Sequence, residues 1–346
     1  MPLTLYVDEQ AWRAHHQRVV AERSRPVPVA KGNGYGFTLP VLARAAAALE
    51  PDVDQIAVGT ADEAAQVLAL YPNDIVVLEP LIPGAAFADL PERVIYTAGS
   101  VDAVRALADR RMVVDCRSSL HRQGVARSDL PAVKQALGGR QPEGYSLHMP
   151  IDRPRNAPQR VGEIEEWINA LQDEGLKVPV FYVSHVTGPE LAELRVRFPG
   201  TRIRVRIGTD LWLGASDAIE ARATVLDVLP VSRGERIGYR QNRLRHGGWV
   251  VVVSGGALQG VGLDAPRTLR GVAPRAKEAG RSGLRMMNRA LSPFSWAGRR
   301  QWFAEPPHMS ISMLYLPEQI EPPEPGSELT ADVRYTATHF DRVRMH

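Results

Sequence analysis

The sequence predicts an α/β protein: a (β/α)8 TIM-type barrel followed by a smaller, mostly β C-terminal domain. Two observations carry that expectation. Eight short apolar runs alternate with helix-like stretches over the first 216 residues, and after Gly214 the texture changes to short β-branched segments broken by Gly and Pro. Parallel strands need crossover helices and are buried on both faces, so they read as continuous apolar runs and not as alternating ones. A doubly wound sheet would give a similar pattern, although eight repeats over about 200 residues suit the barrel.

Taken in order, the helix-like stretches include Ala11–Glu22, Leu39–Leu49 and Ala61–Leu70. The apolar runs are Val27–Ala30, Ile56–Val58, Ile75–Leu78, Val94–Tyr96, Met112–Val114, Tyr145–Met149, Val180–Val183 and Ile203–Ile207. They define a barrel over residues 9–216. In 217–346, the segments Arg222–Val231, Gln241–Arg245, Trp249–Ser254, Ser310–Leu316 and Leu329–Tyr335 read as strands of a β-domain that residues 1–8 could join. Within it, residues 265–300 form a basic insertion: Pro266 to Arg300 carries nine Lys/Arg against one acid, Glu278. A solvated loop is the plain reading, and a cationic lid for an anionic substrate group is the alternative.

Composition removes several function classes. The 346 residues are 44% hydrophobic and 23% charged, as in ordinary globular chains. A net charge of +3 is too mild to argue for nucleic acid. The single cysteine, Cys116, leaves no disulfide framework and no cysteine zinc cluster. The nine histidines show no metal-binding spacing, so no metal is expected. No apolar stretch reaches the roughly 20 residues of a membrane helix, and the N-terminus lacks a secretory pattern. A cytoplasmic protein with neither membrane nor nucleic-acid partners is expected.

The chemistry concentrates around Lys31, in Pro-Val-Ala-Lys-Gly-Asn-Gly-Tyr-Gly-Phe at 28–37. A lysine at the end of a buried strand is expensive to keep charged, and Schiff-base formation with an aldehyde cofactor is the chemistry that most often requires one. The lysine precedes the glycines and no Ser/Thr follows, which excludes a nucleotide P-loop. In a barrel, function sits at the C-terminal ends of the strands. There the sequence places Lys31 and Tyr35, Asp115 and Arg122, His148, Ser184, His185 and Thr187, then Arg206, Gly208 and Thr209. Such a set can form a Schiff base, hold a phosphate through hydroxyls and backbone amides, and neutralise a carboxylate. His15 and His16, on the first helix, are expected at the surface.

Val29-Ala-Lys-Gly-Asn-Gly-Tyr-Gly36 resembles the K-A-N-A-Y-G signature of alanine racemases, fold-type III enzymes that use pyridoxal 5'-phosphate. Ser119-Leu-His-Arg-Gln-Gly124 is similar to their G-M-x-R-x-G, and Val205-Arg-Ile-Gly-Thr-Asp-Leu-Trp-Leu-Gly214 to V-R-P-G-x-x-x-Y-G. Arg236-Ile-Gly-Tyr239 resembles the V-G-Y-G stretch of their β-domain. The resemblance implies Lys31 as Schiff-base lysine and base on one face of the substrate α-carbon, with Tyr239 of a head-to-tail homodimer's partner subunit as base on the other. It implies Tyr35, Ser184 or Thr187, and the backbone of Gly208 and Thr209 as phosphate ligands. His148 would lie against the cofactor ring and Arg206 at its pyridine nitrogen, while Arg122 would reach the phenolic oxygen or the substrate carboxylate. Met309 and Ser310 stand at the substrate-binding position.

Three departures separate the chain from that pattern. Asp115 stands where the family has a lysine, often carbamylated, seven residues before the arginine. Met309-Ser310 replaces Met-Asp, and Ser254–Gly260 replaces G-Y-x-D-G. The resemblance would set His346 at the place of the family's C-terminal phosphate-binding tyrosine. Lost bulk at the entrance together with the basic insertion implies an amino-acid substrate other than simply alanine. The expected activity is therefore pyridoxal-phosphate-dependent racemisation or epimerisation. A lyase or decarboxylase on the same scaffold, or a non-enzymatic pyridoxal-phosphate-binding protein, is the alternative.

Overall fold

The computed structural model describes residues 2–85, 89–152, 159–263 and 290–346, with a few positions of 273–280. The chain divides into two compact units. One comprises Arg13–Gly34 and Thr38–Gly214; the other comprises Met1–Trp12, Tyr35–Phe37 and Ala215–His346.

The first unit is a (β/α)8 barrel. Its eight parallel strands are Val27–Pro28, Gln55–Val58, Asp74–Pro80, Val94–Ala98, Met112–Cys116, Gly144–Leu147, Val180–Ser184 and Arg202–Ile207. They pair in sequence order, and the last pairs with the first through Arg206 opposite Val27. Val29 bridges Ala57 and nearly closes the ring, with Ala30 N–H donating to the Ala57 carbonyl at 2.8 Å. The strands are mostly apolar and mostly buried, as strands between a ring of helices and a filled interior should be, with Glu79 and Arg202 exposed at strand ends. Helix starts follow from local caps. The Thr60, Ser100 and Thr187 hydroxyls accept from the backbone N–H three residues on, which satisfies donors that the first turn leaves orphaned.

The first helix, Glu9–Arg23, corrects one expectation. His15 is at the surface, but His16 is buried, its ring edge-on to Trp212 at 5.0 Å between centroids. Trp12, His16, Val19 and Val20 recur at the i, i+4, i+7, i+8 spacing of a buried helix face, and all four are buried. Burial pushes the His16 imidazole down to about 3.

The second unit is a mostly antiparallel eight-stranded sheet. Its strand order is Gly248–Ser254, Ile311–Pro317, Arg299–Phe303, Leu291–Trp296, Glu328–Ala331, Ile219–Val231, Leu3–Val7 and Arg342–Met345. The long strand Ile219–Val231 pairs with three others, including Gly248–Ser254, so the sheet curls back on itself. Alternating residues Ala221, Ala223, Val225, Val251, Val253, Leu314 and Leu316 fill the core with Leu3 and Phe294. The expected strand Gln241–Arg245 reduces to Asn242–Arg243, which forms a small separate ladder with Arg236–Ile237. Most of the basic stretch 265–300 lies outside the described residues; its last part contributes the strand Leu291–Trp296 and the start of the next.

Candidate active site

Lys31 follows immediately on the closing bridge of the barrel, at the C-terminal end of the first strand. Pro28 has no N–H to continue the ladder, and the chain then turns through Gly32 and Gly34, both at positive φ. An added Cβ on Gly34 would lie 2.8 Å from the Leu39 backbone nitrogen, so only glycine permits this path. Two contacts hold the segment. Trp212, fully buried, donates its indole N–H to the Val29 carbonyl at 2.8 Å. The Glu63 carboxylate accepts from Gly32 N–H at 2.8 Å and from Gly59 N–H at 2.6 Å, tying the Lys31 turn to the end of the second strand. Glu63 carries no signal in the sequence beyond its position three residues after the helix-capping Thr60.

The Lys31 side chain opens to solvent at this rim rather than lying buried as expected from its strand-end position. Its ammonium is nonetheless held below the usual lysine range, first by partial desolvation and then by the charges of Arg122 and Arg206, with Glu63 acting in the opposite sense. The same group of charges reaches His148, whose imidazole burial and Arg206 and Arg122 push down to about 3. Lys31, Arg122, His148, His185 and Arg206 therefore share one end of the barrel. His148 and His185 meet edge-on at 5.4 Å between centroids, and His185 holds a left-handed backbone (φ 57°), a conformation non-glycine residues adopt mainly where surrounding structure enforces it.

Arg204 and Arg206 fall on one face of the strand Arg202–Ile207 but have different surroundings. Arg204 is buried and paired with Asp54 and Gln55. Arg206 has Nε and Nη2 buried with no hydrogen-bond partner among the described residues. Burial lowers its guanidinium below the usual range, and the nearby Asp115 carboxylate works against that. Asp115 itself is buried on the strand Met112–Cys116, accepts from the Ser146 hydroxyl at 2.5 Å, and is raised by burial more than Arg206, Ser146, Arg122 and Gln123 lower it. The structure thus sets Asp115 among both arginines.

The loop carrying Arg122 is pinned from three sides. Ser118 donates to the His148 carbonyl at 2.5 Å; Ser119 gives both its N–H, at 2.6 Å, and its hydroxyl, at 2.8 Å, to buried Glu163; and Val125 N–H returns to the Asp115 carbonyl at 2.9 Å. Glu163, on the helix Arg160–Asp173, is a second positioning residue that sequence reasoning missed, because a buried acid inside an otherwise amphipathic helix has no local signature.

The expected phosphate ligands divide into two groups. Ser184 is buried and accepts from Met149 N–H at 2.9 Å, so it braces the His148 segment. Thr187 is exposed at the start of the helix Gly188–Arg197, where its hydroxyl donates to Glu190 at 2.9 Å and Glu190 in turn faces Arg160. Gly208 caps the short helix Thr209–Leu213, which places the amides of Gly208 and Thr209 at the same strand end as Arg206.

Tyr35, Tyr239, Met309 and Ser310 belong to the β unit. Tyr35 is buried at φ 55° between two glycines, and burial pushes its phenol up to about 12, so it stays a neutral donor. Tyr239 is 85% exposed, and Met309 is also exposed. The Met309 and Ser310 carbonyls accept from Leu258 and Gly255, so these two residues back onto the segment Ser254–Gly260. No cluster of three metal-binding side chains occurs among the described residues.

Residues 7–214 match the family model described as alanine racemase, N-terminal domain. The chain belongs to the alanine racemase family. It is a divergent member. Alanine racemase from Corynebacterium glutamicum superimposes with a TM-score of 0.70 at 19% identity, covering 99% of this chain and 98% of that one. Alanine racemase from Bartonella henselae with covalently bound pyridoxal phosphate gives 0.68 at 15% identity, with 97% and 91% covered. Histidine racemase from Leuconostoc mesenteroides gives 0.63 at 17% identity, with 95% and 87% covered. At these identities the likeness establishes the family's fold. A search among curated proteins returns no match. No helix among the described residues is long and apolar enough to cross a membrane.

Proposed function

We propose that this family member is a pyridoxal-phosphate-dependent amino-acid racemase or epimerase, working as a cytoplasmic homodimer on a substrate other than simply alanine. The observation that carries the reading is Arg206. A buried guanidinium with two nitrogens lacking partners is costly unless an acceptor arrives, and a pyridine nitrogen is an acceptor of the right kind. Lys31, at the same rim with its amine eased toward neutrality, suits attack on an aldehyde. The residues present therefore fit the cofactor.

When bound, pyridoxal phosphate supplies an electron sink that acidifies the Cα–H bond of an attached amino acid. Lys31 would anchor it, Arg206 would face its ring nitrogen, and Tyr35, Thr187 and the amides of Gly208 and Thr209 would take the phosphate. A guanidinium stays protonated and does not give its proton to the ring, which favours simple removal and return of a proton over longer chemistry. His148, held neutral, would lie against the ring without adding charge. Arg122, its loop pinned through Ser118, Ser119 and Glu163, would reach the cofactor's phenolic oxygen or the substrate carboxylate. Lys31 would then move the proton on one face of Cα and the partner subunit's Tyr239 on the other, the two-base logic of racemisation. The altered Met309-Ser310 and Ser254–Gly260 segments are where a different substrate side chain would be chosen.

The test is a visible spectrum of the purified protein with added pyridoxal phosphate, followed by a chiral screen of amino acids in D2O. A lysine-bound pyridoxal band that vanishes in Lys31→Ala, with Cα deuterium entering both enantiomers of one amino acid, is expected. A band that survives Lys31→Ala overturns the cofactor assignment, and consumption of substrate to a product other than its enantiomer replaces racemase with lyase or decarboxylase.

A further inference from the structure

Tyr239 is a solvent-exposed residue with an unusually elaborate support. It sits at the tip of the hairpin between Arg236–Ile237 and Asn242–Arg243, where Gln241 returns both its backbone N–H and its side-chain amide to the Gly238 carbonyl. Its backbone N–H donates to Oε2 of Glu305 at 2.9 Å. Oε1 of the same carboxylate is hydrogen-bonded to Nε2 of His308. The His308 ring lies against the Tyr239 ring at 4.6 Å between centroids, tilted by 44°. Glu305 is only 5% exposed, whereas Tyr239 is 85% exposed. Gly238 has φ +69°, and a Cβ there would lie 2.1 Å from Oε2 of Glu305, so only glycine lets the carboxylate approach this closely.

A buried carboxylate has a strong need for donors. Glu305 meets it with two, and both lead to Tyr239: one through the tyrosine's own backbone, the other through the imidazole packed on its ring. We propose that Glu305 and His308 are positioning residues for the Tyr239 phenol. Glu305 fixes the imidazole through its hydrogen bond at Nε2, so the ring is held where it packs against Tyr239. His308 then restricts the tyrosine ring to one orientation. This is the arrangement of a reacting group, a neighbouring imidazole and an orienting acid, carried by one hairpin and the turn Glu305–His308. It also changes the reading of the missing acid at Met309-Ser310, since an acid is present four residues before Met309 and serves the tyrosine. The inference rests on the proposal that Tyr239 is the second base.

The test uses full-length protein labelled with 3-fluorotyrosine, the Tyr239 resonance being assigned by its loss in Tyr239→Phe. In the cofactor-free wild type the fluorine resonance of Tyr239 is expected to be displaced from that of a free exposed tyrosine by the His308 ring packed against it. That displacement should collapse in His308→Gln, which removes the ring, and change in His308→Phe, which keeps a ring against Tyr239 but cannot bond to Glu305. With cofactor, Cα-deuterium exchange of one enantiomer should fall tenfold or more in both variants, while exchange of the other stays within twofold and the lysine-bound pyridoxal band is unchanged. Glu305→Asp should retain more of that exchange than Glu305→Gln. A Tyr239 resonance indifferent to His308, or equal exchange of both enantiomers by His308→Phe and wild type, overturns the proposal. If wild type exchanges neither enantiomer while the fluorine displacement is present and His308-dependent, the racemase reading fails and the positioning of Tyr239 by His308 stands.

Discussion

Glu63→Gln tests whether the Lys31 turn is held from the second strand. The carboxylate accepts two backbone hydrogens, from Gly32 at 2.8 Å and Gly59 at 2.6 Å. An amide keeps one acceptor and turns an NH2 toward the other N–H, so one charge-assisted bond is lost and the other weakened. A hydrogen bond to a charged group contributes about 1.5–3 kcal/mol when shielded. Gly32 is exposed and water can replace part of the loss, which brings the expected cost to about 2 kcal/mol. Glu63 also raises the Lys31 amine against the two arginines, so its removal should lower that amine further. Urea unfolding would read the first effect. The pH dependence of pyridoxal-phosphate capture by Lys31 would read the second, its onset moving to lower pH in the variant. Unchanged stability together with an unchanged onset would refute the claim that Glu63 holds and tunes the lysine.

Acid should destabilise the barrel through His16, which is buried, and His148, which is half-buried. His16 and His148 sit at about 3 when folded, against 6.5 for the model imidazole. The unfolded state therefore binds more protons between these values, and stability is lost as pH falls below about 6.5. For buried His16 the loss at pH 5 is about 2 kcal/mol, and His16→Leu should flatten that part of the profile in denaturant titrations from pH 8 to 5. Gly124→Ala should destabilise by more than about 3 kcal/mol, because φ is +105° and the new Cβ would lie 2.6 Å from the Cys116 carbonyl carbon. Thermal melting would show it, and weakened substrate binding would follow because the displaced loop carries Arg122.

Much of the architecture was legible in the sequence because parallel strands buried on both faces leave continuous apolar runs. All eight barrel strands lie at such runs. The β unit was less legible: Leu3–Val7 and Arg342–Met345 pair with each other from opposite ends of the chain, and no local pattern announces so distant a ladder. Side chains that act through their neighbours were harder still. Glu63, Glu163 and Glu305 look like three ordinary surface acids in a chain rich in charge. Their roles depend on which backbone N–H groups the fold carries to them.

By itself, the sequence determined an eightfold alternation of apolar strands with helices and the candidate rim residues from Lys31 to Thr209, since each follows from local periodicity or a short motif; that the strands close on one another was settled by the pairing of Val27 with Arg206. Only the tertiary structure decided that Lys31 is exposed while its amine is eased toward neutrality, that Arg204 is paired while two nitrogens of Arg206 are not, and that His16 is buried. Those outcomes depend on desolvation and on charges brought together from strands far apart in the chain, and such fields exist only once the barrel is closed.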